Sequence, residues 1–287
     1  MVSPNLKANF RIFSLLSVLT GVFLGGGLLI GGRSGMIIAL VLAGVMNLGS
    51  YWFSHKIVLK MYGADEVKES ENPELHSTVE DLAEQAGIPK PDVYRTSMQA
   101  PNAFATGRNP EKGVVCVTDG LMNTLDQDEV KGVIAHELGH IKNRDTLVNS
   151  AVATIAGAIG MIAEMAFWGA MFGGREEEGE MFSALALMIL IPIISTIIRT
   201  AVSRSMEFRA DSEAVKISQD KQGLSSALQK ISNASKGTTR RHNSRVQEAG
   251  ANLFIENPFS GKKITKYFST HPPLQERIDN IENTEIQ

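Results

Sequence analysis

The chain has 287 residues, with 28 lysines and arginines against 31 aspartates and glutamates and a net charge of −3. That near balance excludes the basic surface nucleic-acid binding requires, and a single cysteine excludes an internal disulfide and fits a reducing compartment for the bulk of the chain. The length would suit one or two soluble domains, but the apolar residues gather in four long blocks, which excludes a wholly soluble protein.

The first block, 12–32, follows Lys7 and Arg11. It outlasts the about 7–15 residues of a signal-peptide core and no small-residue cleavage site precedes a polar start, so a retained transmembrane helix is expected. The second block, 34–54, follows Arg33. A third begins after Asp145 and reaches Glu164, and a fourth runs from about Met181 to Ile198. Each matches or approaches the roughly 20 residues a bilayer core requires. A helix from Thr146 to Ala163 rises about 27 Å, which leaves Glu164 near the far interface, where a carboxylate costs little. Lys7, Arg11, Lys56, Lys60, Lys142, Arg144, Arg199 and Arg204 flank the blocks on one side. Arg33 and Arg175 lie on the other, and Arg175 is followed by Glu176, Glu177, Glu178 and Glu180. The excess of positive charge places both termini, and the segments 61–145 and 203–287, in the cytoplasm.

Within the first of those segments, Pro73 opens a helix that runs to about Ala86, where Gly87 stops it. Asp92–Thr96 reads as a strand. Ala103–Thr106 and Val114–Thr118 flank the turn-rich stretch Gly107 to Gly113, a hairpin signal. Cys116 lies in the second of these strands and reads as a small core hydrophobe. Asp126 or Asp128 can cap the next helix, in which Val130, Val133, Ile134, Leu138 and Ile141 recur at helical spacing.

That helix carries His136-Glu137-Leu138-Gly139-His140, which fits H-E-x-x-H. Positions i and i+4 share a helix face, so two imidazoles can hold one Zn²⁺, and Glu137 can take a proton from a water on the metal. Catalytic zinc ordinarily has three protein ligands and an open position. The third ligand is therefore expected to be a His, Asp or Glu beyond the third and fourth blocks. Glu207 and Asp211, four apart on one helical face, suit a ligand and a carboxylate that orients a zinc histidine. The same spacing also suits an ordinary solvated face shared with Arg204 and Arg209. His76 and His242 read as solvated, and His55 as interfacial. Lys236, Arg240, Arg241 and Arg245 suit contact with anionic lipid, or a mobile loop.

Taken in order, His136-Glu-Leu-Gly-His140, a hydrophobic stretch, Glu207-Phe-Arg-Ala-Asp211 and His271-Pro-Pro-Leu-Gln-Glu-Arg277 resemble the HtpX family of bacterial heat-shock-associated inner-membrane zinc endopeptidases. That family is similar to the eukaryotic CAAX prenyl endopeptidase. The resemblance covers nearly the whole chain and implies Glu207 as third ligand, with one Zn²⁺ per chain. It also implies a sheet edge at Asn102, Ala103, Phe104 and Ala105 lining the cleft, with His271 and Arg277 near the scissile carbonyl. One departure is Met206, where relatives often carry Arg.

The expected fold is α+β: a mainly helical zincin-like domain with a small sheet, joined to four transmembrane helices in two hairpins. The expected parts are 1–60 and 147–202 in the membrane, with 61–146 and 203–287 forming the protease domain. The expected function is cleavage of membrane or misfolded proteins in quality control at the bacterial inner membrane, the partners being protein substrates and the bilayer. A processing peptidase with few substrates is the nearest alternative. A scaffold that uses zinc structurally is a weaker one, because a closed site has no use for Glu137.

Overall fold

The computed structural model describes residues 58–145, 203–238 and 272–286, with scattered positions from 17 to 56 and Val148. The chain divides into two units, Met1–Trp52 with Val148–Ala201, and Phe53–Leu147 with Val202–Gln287. Every element below belongs to the second. The four apolar blocks lie almost wholly outside the described residues, as do Glu164, His242 and the basic run from Arg240 to Arg245. Among the described residues no helix is long and apolar enough to cross a membrane.

The second unit starts with β1 (Asp65–Glu66) and α1 (Pro73–Ala86). Helix α1 has the predicted bounds: Asn72 caps it by accepting from the Leu75 N–H, and Gly87 ends it in the left-handed conformation at φ 69°. Strands β2 (Asp92–Thr96), β3 (Ala103–Thr106) and β4 (Val114–Thr118) follow. The sheet order is β1-β2-β4-β3, with β2 and β4 parallel and the two outer pairs antiparallel. The expected hairpin is present, Ala103 facing Val117 and Thr106 facing Val114. Its connection is a 3₁₀ turn at Pro110–Lys112. Gly107 sits there at φ 133°, and a Cβ at this position would lie 2.3 Å from the Lys112 carbonyl oxygen, so only glycine fits.

Both faces of β4 are covered, which explains its unbroken apolar sequence. Val115 and Val117 join the main core with Val79, Leu82, Ile134 and Leu138, while Val114 and Cys116 pack with Leu59, Tyr62 and Phe104. Cys116 is fully buried, and burial pushes its thiol up to about 12, so it is a packed hydrophobe as expected.

A short helix α2 (Asp119–Thr124) leads into α3 (Gln127–Asn143). Asp126 starts α3 with a capping box: it accepts from the Glu129 N–H at 3.1 Å, and Glu129 accepts from the Asp126 N–H at 2.9 Å. Glu129 is buried and also accepts from Ser226 at 2.5 Å and Lys230 at 2.6 Å. Those two residues lie on α5 (Gln222–Thr238), which follows α4, residues 203–218. Gly132 lets α5 approach the backbone of α3: a Cβ there would lie 2.6 Å from the Leu224 nitrogen. The last helix, α6 (Leu274–Glu282), follows Pro273. One expectation fails here. His76 is buried, not solvated, because its Nε2–H donates to the Val67 carbonyl at 2.8 Å and ties α1 to the strand side of the unit.

Candidate metal centre and active site

Helix α3 presents His136 and His140 one turn apart, with Nε2 atoms 3.2 Å from each other. Helix α4 crosses the same turn. Gly139, between the two histidines, keeps α3 narrow there; a Cβ would meet the Ala210 carbonyl oxygen at 3.3 Å. Glu207 thereby reaches both rings, with Oε2 3.6 Å from His136 Nε2 and Oε1 3.5 Å from His140 Nε2. All three side chains are buried or nearly so.

These separations suit a metal. Ligand atoms arranged tetrahedrally at 2.0–2.1 Å from a central ion lie roughly 3.3–3.4 Å apart, close to the observed 3.2, 3.5 and 3.6 Å. The donor set of two imidazoles and a carboxylate has the chemistry of a divalent-metal site. Its electrostatics agree. Burial disfavours a charged His140, yet Asp145 and Glu207 outweigh it and hold the imidazole well above its ordinary value. A field that draws a proton onto a buried imidazole also draws a divalent cation.

Each histidine has a carboxylate on its other nitrogen. Asp211, one turn beyond Glu207 on α4, places Oδ1 2.9 Å from His136 Nδ1, the position foreseen for a carboxylate that orients a ligand. Asp145 places Oδ2 3.0 Å from His140 Nδ1 and was not foreseen. The signal was present as an acid five residues after the second histidine. It is brought under the ring because Arg144 ends α3 in the left-handed conformation, at φ 58°. Arg209 of α4 pairs with the second oxygen of Asp145.

Arg277 lies at the metal site. It is 2% exposed and grips Asp211 with two hydrogen bonds, Nε to Oδ2 at 2.9 Å and Nη2 to Oδ1 at 2.6 Å. Its Nη1 lies 3.5 Å from Glu207 Oε2. The guanidinium thus lies against the metal-site carboxylates, and Glu137 also lies within reach of its charge. Burial opposes ionisation of Asp211, but Arg277 and His136 outweigh it and keep the carboxyl below its ordinary value. His271 lies outside the described residues.

Glu137 is 4% exposed. Burial pushes its carboxyl above the ordinary carboxylate value; His136, His140 and the Ala105 backbone N–H oppose the rise, and Glu207 adds to it. The Ala105 contact links the glutamate to β3, the end strand of the sheet. Asn102 directs both main-chain groups at β4, donating to Thr118 Oγ1 at 2.9 Å and accepting from the Thr118 N–H at 3.0 Å. Strand parity then turns Phe104 and Thr106 towards β4 and leaves the main-chain groups of Ala103 and Ala105 on the outer edge. Of the four residues expected to meet substrate, these two lie on that edge. The Asn102 side chain is fully buried, and Phe104 packs on Tyr62 with ring centroids 4.9 Å apart.

Helices over a small mixed sheet, an i, i+4 histidine pair, a glutamate from a later helix and a buried carboxylate beside them together define a metallohydrolase of the zincin type. The chain belongs to peptidase family M48, whose pattern matches residues 69–285, and it is a metalloendopeptidase. A protease HtpX homolog of Persephonella marina is 49% identical over 270 residues, covering 93% of this chain and 94% of the relative. Homologs from Aquifex aeolicus and Pyrococcus furiosus are 49% and 48% identical over 269 and 270 residues, covering 91% and 93% of this chain and 88% and 92% of theirs. The crystal structure of S. mikatae Ste24p shares the fold, with a TM-score of 0.58 at 19% identity over 98% of this chain and 66% of that one.

Proposed function

We propose that the protein is a zinc-dependent endopeptidase of the bacterial inner membrane that cleaves membrane or misfolded proteins in quality control. The observation that carries this reading is the convergence of His136, His140 and Glu207 from two helices, with Glu137 beside them and the outer edge of β3 next to Glu137. The two histidines and Glu207 would hold the zinc ion, which when bound supplies Lewis acidity for the scissile carbonyl and acidifies water. Glu137 takes the proton of the attacking water and delivers it to the leaving amine. Its raised carboxyl favours holding the proton between the two transfers. The outer main-chain groups of Ala103 and the outer carbonyl of Ala105, whose N–H meets Glu137, hold the peptide extended, largely without regard to its sequence, which suits a protease of unfolded clients. His271 stabilises the developing oxyanion, and Arg277 acts through Asp211 and Glu207.

The test is metal removal. The chain is purified in detergent, stripped with a chelator and given an unfolded protein. Cleavage is expected to stop on stripping and resume with zinc; cleavage by the stripped chain would overturn the reading. Broad quality control further predicts many cleavage sites when membranes holding active and Glu137→Gln chains are compared, whereas a processing peptidase yields few.

The strand-edge role predicts that a peptide-like inhibitor, seen in a crystal or cryo-EM complex, runs antiparallel to β3 within hydrogen-bonding distance of Ala103 and Ala105. A ligand backbone lying elsewhere removes that role. Topology has its own test. Tags in 61–145 and after 203 are expected to be shielded from protease added to spheroplasts, and a tag in 175–180 to be cut. Cutting of the first two contradicts a cytoplasmic site.

A further inference from the structure

The two ligand histidines are supported differently. His136 is held by Asp211, which lies on the same helix as the third ligand. His140 is held by Asp145, which lies beyond the end of α3, where the third apolar block begins. Nothing in the helical ladder of α3 fixes Asp145. Its position depends on the left-handed turn at Arg144, a conformation that a residue with a Cβ adopts only at a cost. It depends equally on Arg209, which pairs with the Asp145 oxygen that His140 does not use. Asp145 is 1% exposed, so its charge has no solvent to fall back on. Asp145 and Arg209 are 64 residues apart, Asp145 just past the end of α3 and Arg209 within α4.

We propose that Asp145 and Arg209 act as a pair of positioning residues for the metal site. Asp145 accepts the Nδ1–H of His140, which fixes the tautomer whose bare Nε2 faces His136 and Glu207. Arg209 holds the carboxylate in the orientation that does this. This inference rests on the three-residue metal site proposed above.

The test uses the full chain in detergent, with zinc affinity read by competition against a chromophoric chelator and ligand geometry read from the visible spectrum of the Co²⁺-loaded chain. Asp145→Asn is expected to weaken zinc binding about 10–100-fold and to alter the Co²⁺ spectrum. Arg209→Gln is expected to act in the same direction, and Arg209→Lys to restore most of the affinity. Because both residues act along one path, the double variant Asp145→Asn/Arg209→Gln is expected to be no weaker than Asp145→Asn alone. It also removes both partners of the ion pair together, which guards against misfolding of either single variant. Wild-type affinity and spectrum in Asp145→Asn, or additive losses in the double variant, would overturn the inference. His136→Ala separates this from failure of the underlying site. If that variant still binds zinc as the parent does, the metal site itself is misassigned. If it loses zinc while Asp145→Asn does not, only the positioning role falls.

Discussion

Glu137→Gln is expected to leave the metal in place and to slow peptide hydrolysis by about 10²–10⁴-fold, the range for removal of a general base. The three ligand atoms come from His136, His140 and Glu207, so the substitution removes no donor. Glutamine keeps the shape and the contact with the Ala105 backbone but cannot accept a proton from water at neutral pH. Stability gives a second readout. Burial holds the folded-state carboxyl above its ordinary value, so the folded chain binds this proton more tightly than the unfolded one. In the metal-free chain, folding therefore loses stability as pH rises through the interval from the unfolded to the folded pKa. Glutamine removes that loss, and the metal-free variant is expected to be at least as resistant to urea as the parent at neutral pH. Metal content, turnover and urea unfolding would be measured on one preparation. A metal-loaded Gln variant that cleaves at the parental rate would sink the mechanism.

The combination of a destabilised base and a stabilised cage follows from where each carboxylate sits. Asp211 has a guanidinium across two hydrogen bonds, and Asp145 has Arg209. Glu137 is opposed only in part by the two histidines and a backbone N–H. Arginines thus hydrogen-bond or pair with the two carboxylates that meet the histidine Nδ1 atoms, whereas burial is the dominant influence at Glu137.

What could be read from the sequence is what local signals control. Helix α1 lies between Pro73 and Gly87, α3 starts at Asp126, and β3 and β4 are bounded by glycines, so each could be placed from neighbouring residues. His136, Glu137 and His140 were legible for the same reason, since one helix turn fixes their spacing. Glu207 was not legible on spacing alone, which suited a solvated face equally well; the ordered motifs of the resemblance made the choice. Asp145 escaped because its place depends on a left-handed turn at an arginine and on a partner beyond the insert. The burial of His76 depends on a carbonyl nine residues earlier in a segment without periodicity. Two-residue β1 carries no pattern to detect. Arg277 was placed by its motif at the site, but its hydrogen-bonded pairing with Asp211, 66 residues away, was not foreseen.

Arg277→Ala is therefore expected to strike the metal site and the fold together. Asp211 is wholly buried and its two oxygens are held by one guanidinium at 2.6 and 2.9 Å. Removing one partner of a buried pair leaves an uncompensated charge, which costs roughly 3–5 kcal/mol. The chain can relieve that cost by protonating Asp211, since Arg277 is the largest influence holding its carboxyl down against burial. A protonated Asp211 no longer accepts strongly from His136 Nδ1, and the ligand loses its fixed orientation, with an expected fall of about 10–100-fold in zinc affinity. Arg277→Lys keeps the charge but replaces a planar fork with a single ammonium, so its effects should lie between those of alanine and the parent. An oxyanion donor would behave otherwise: turnover would drop about 10²–10³-fold while metal affinity and stability stayed unchanged. Urea unfolding, chelator competition and turnover of zinc-saturated enzyme, measured on Arg277→Ala and Arg277→Lys, separate the two roles. Parental stability and affinity with lost turnover would return Arg277 to the scissile carbonyl; joint loss of stability and affinity would fix it as the residue that holds Asp211 in place behind His136.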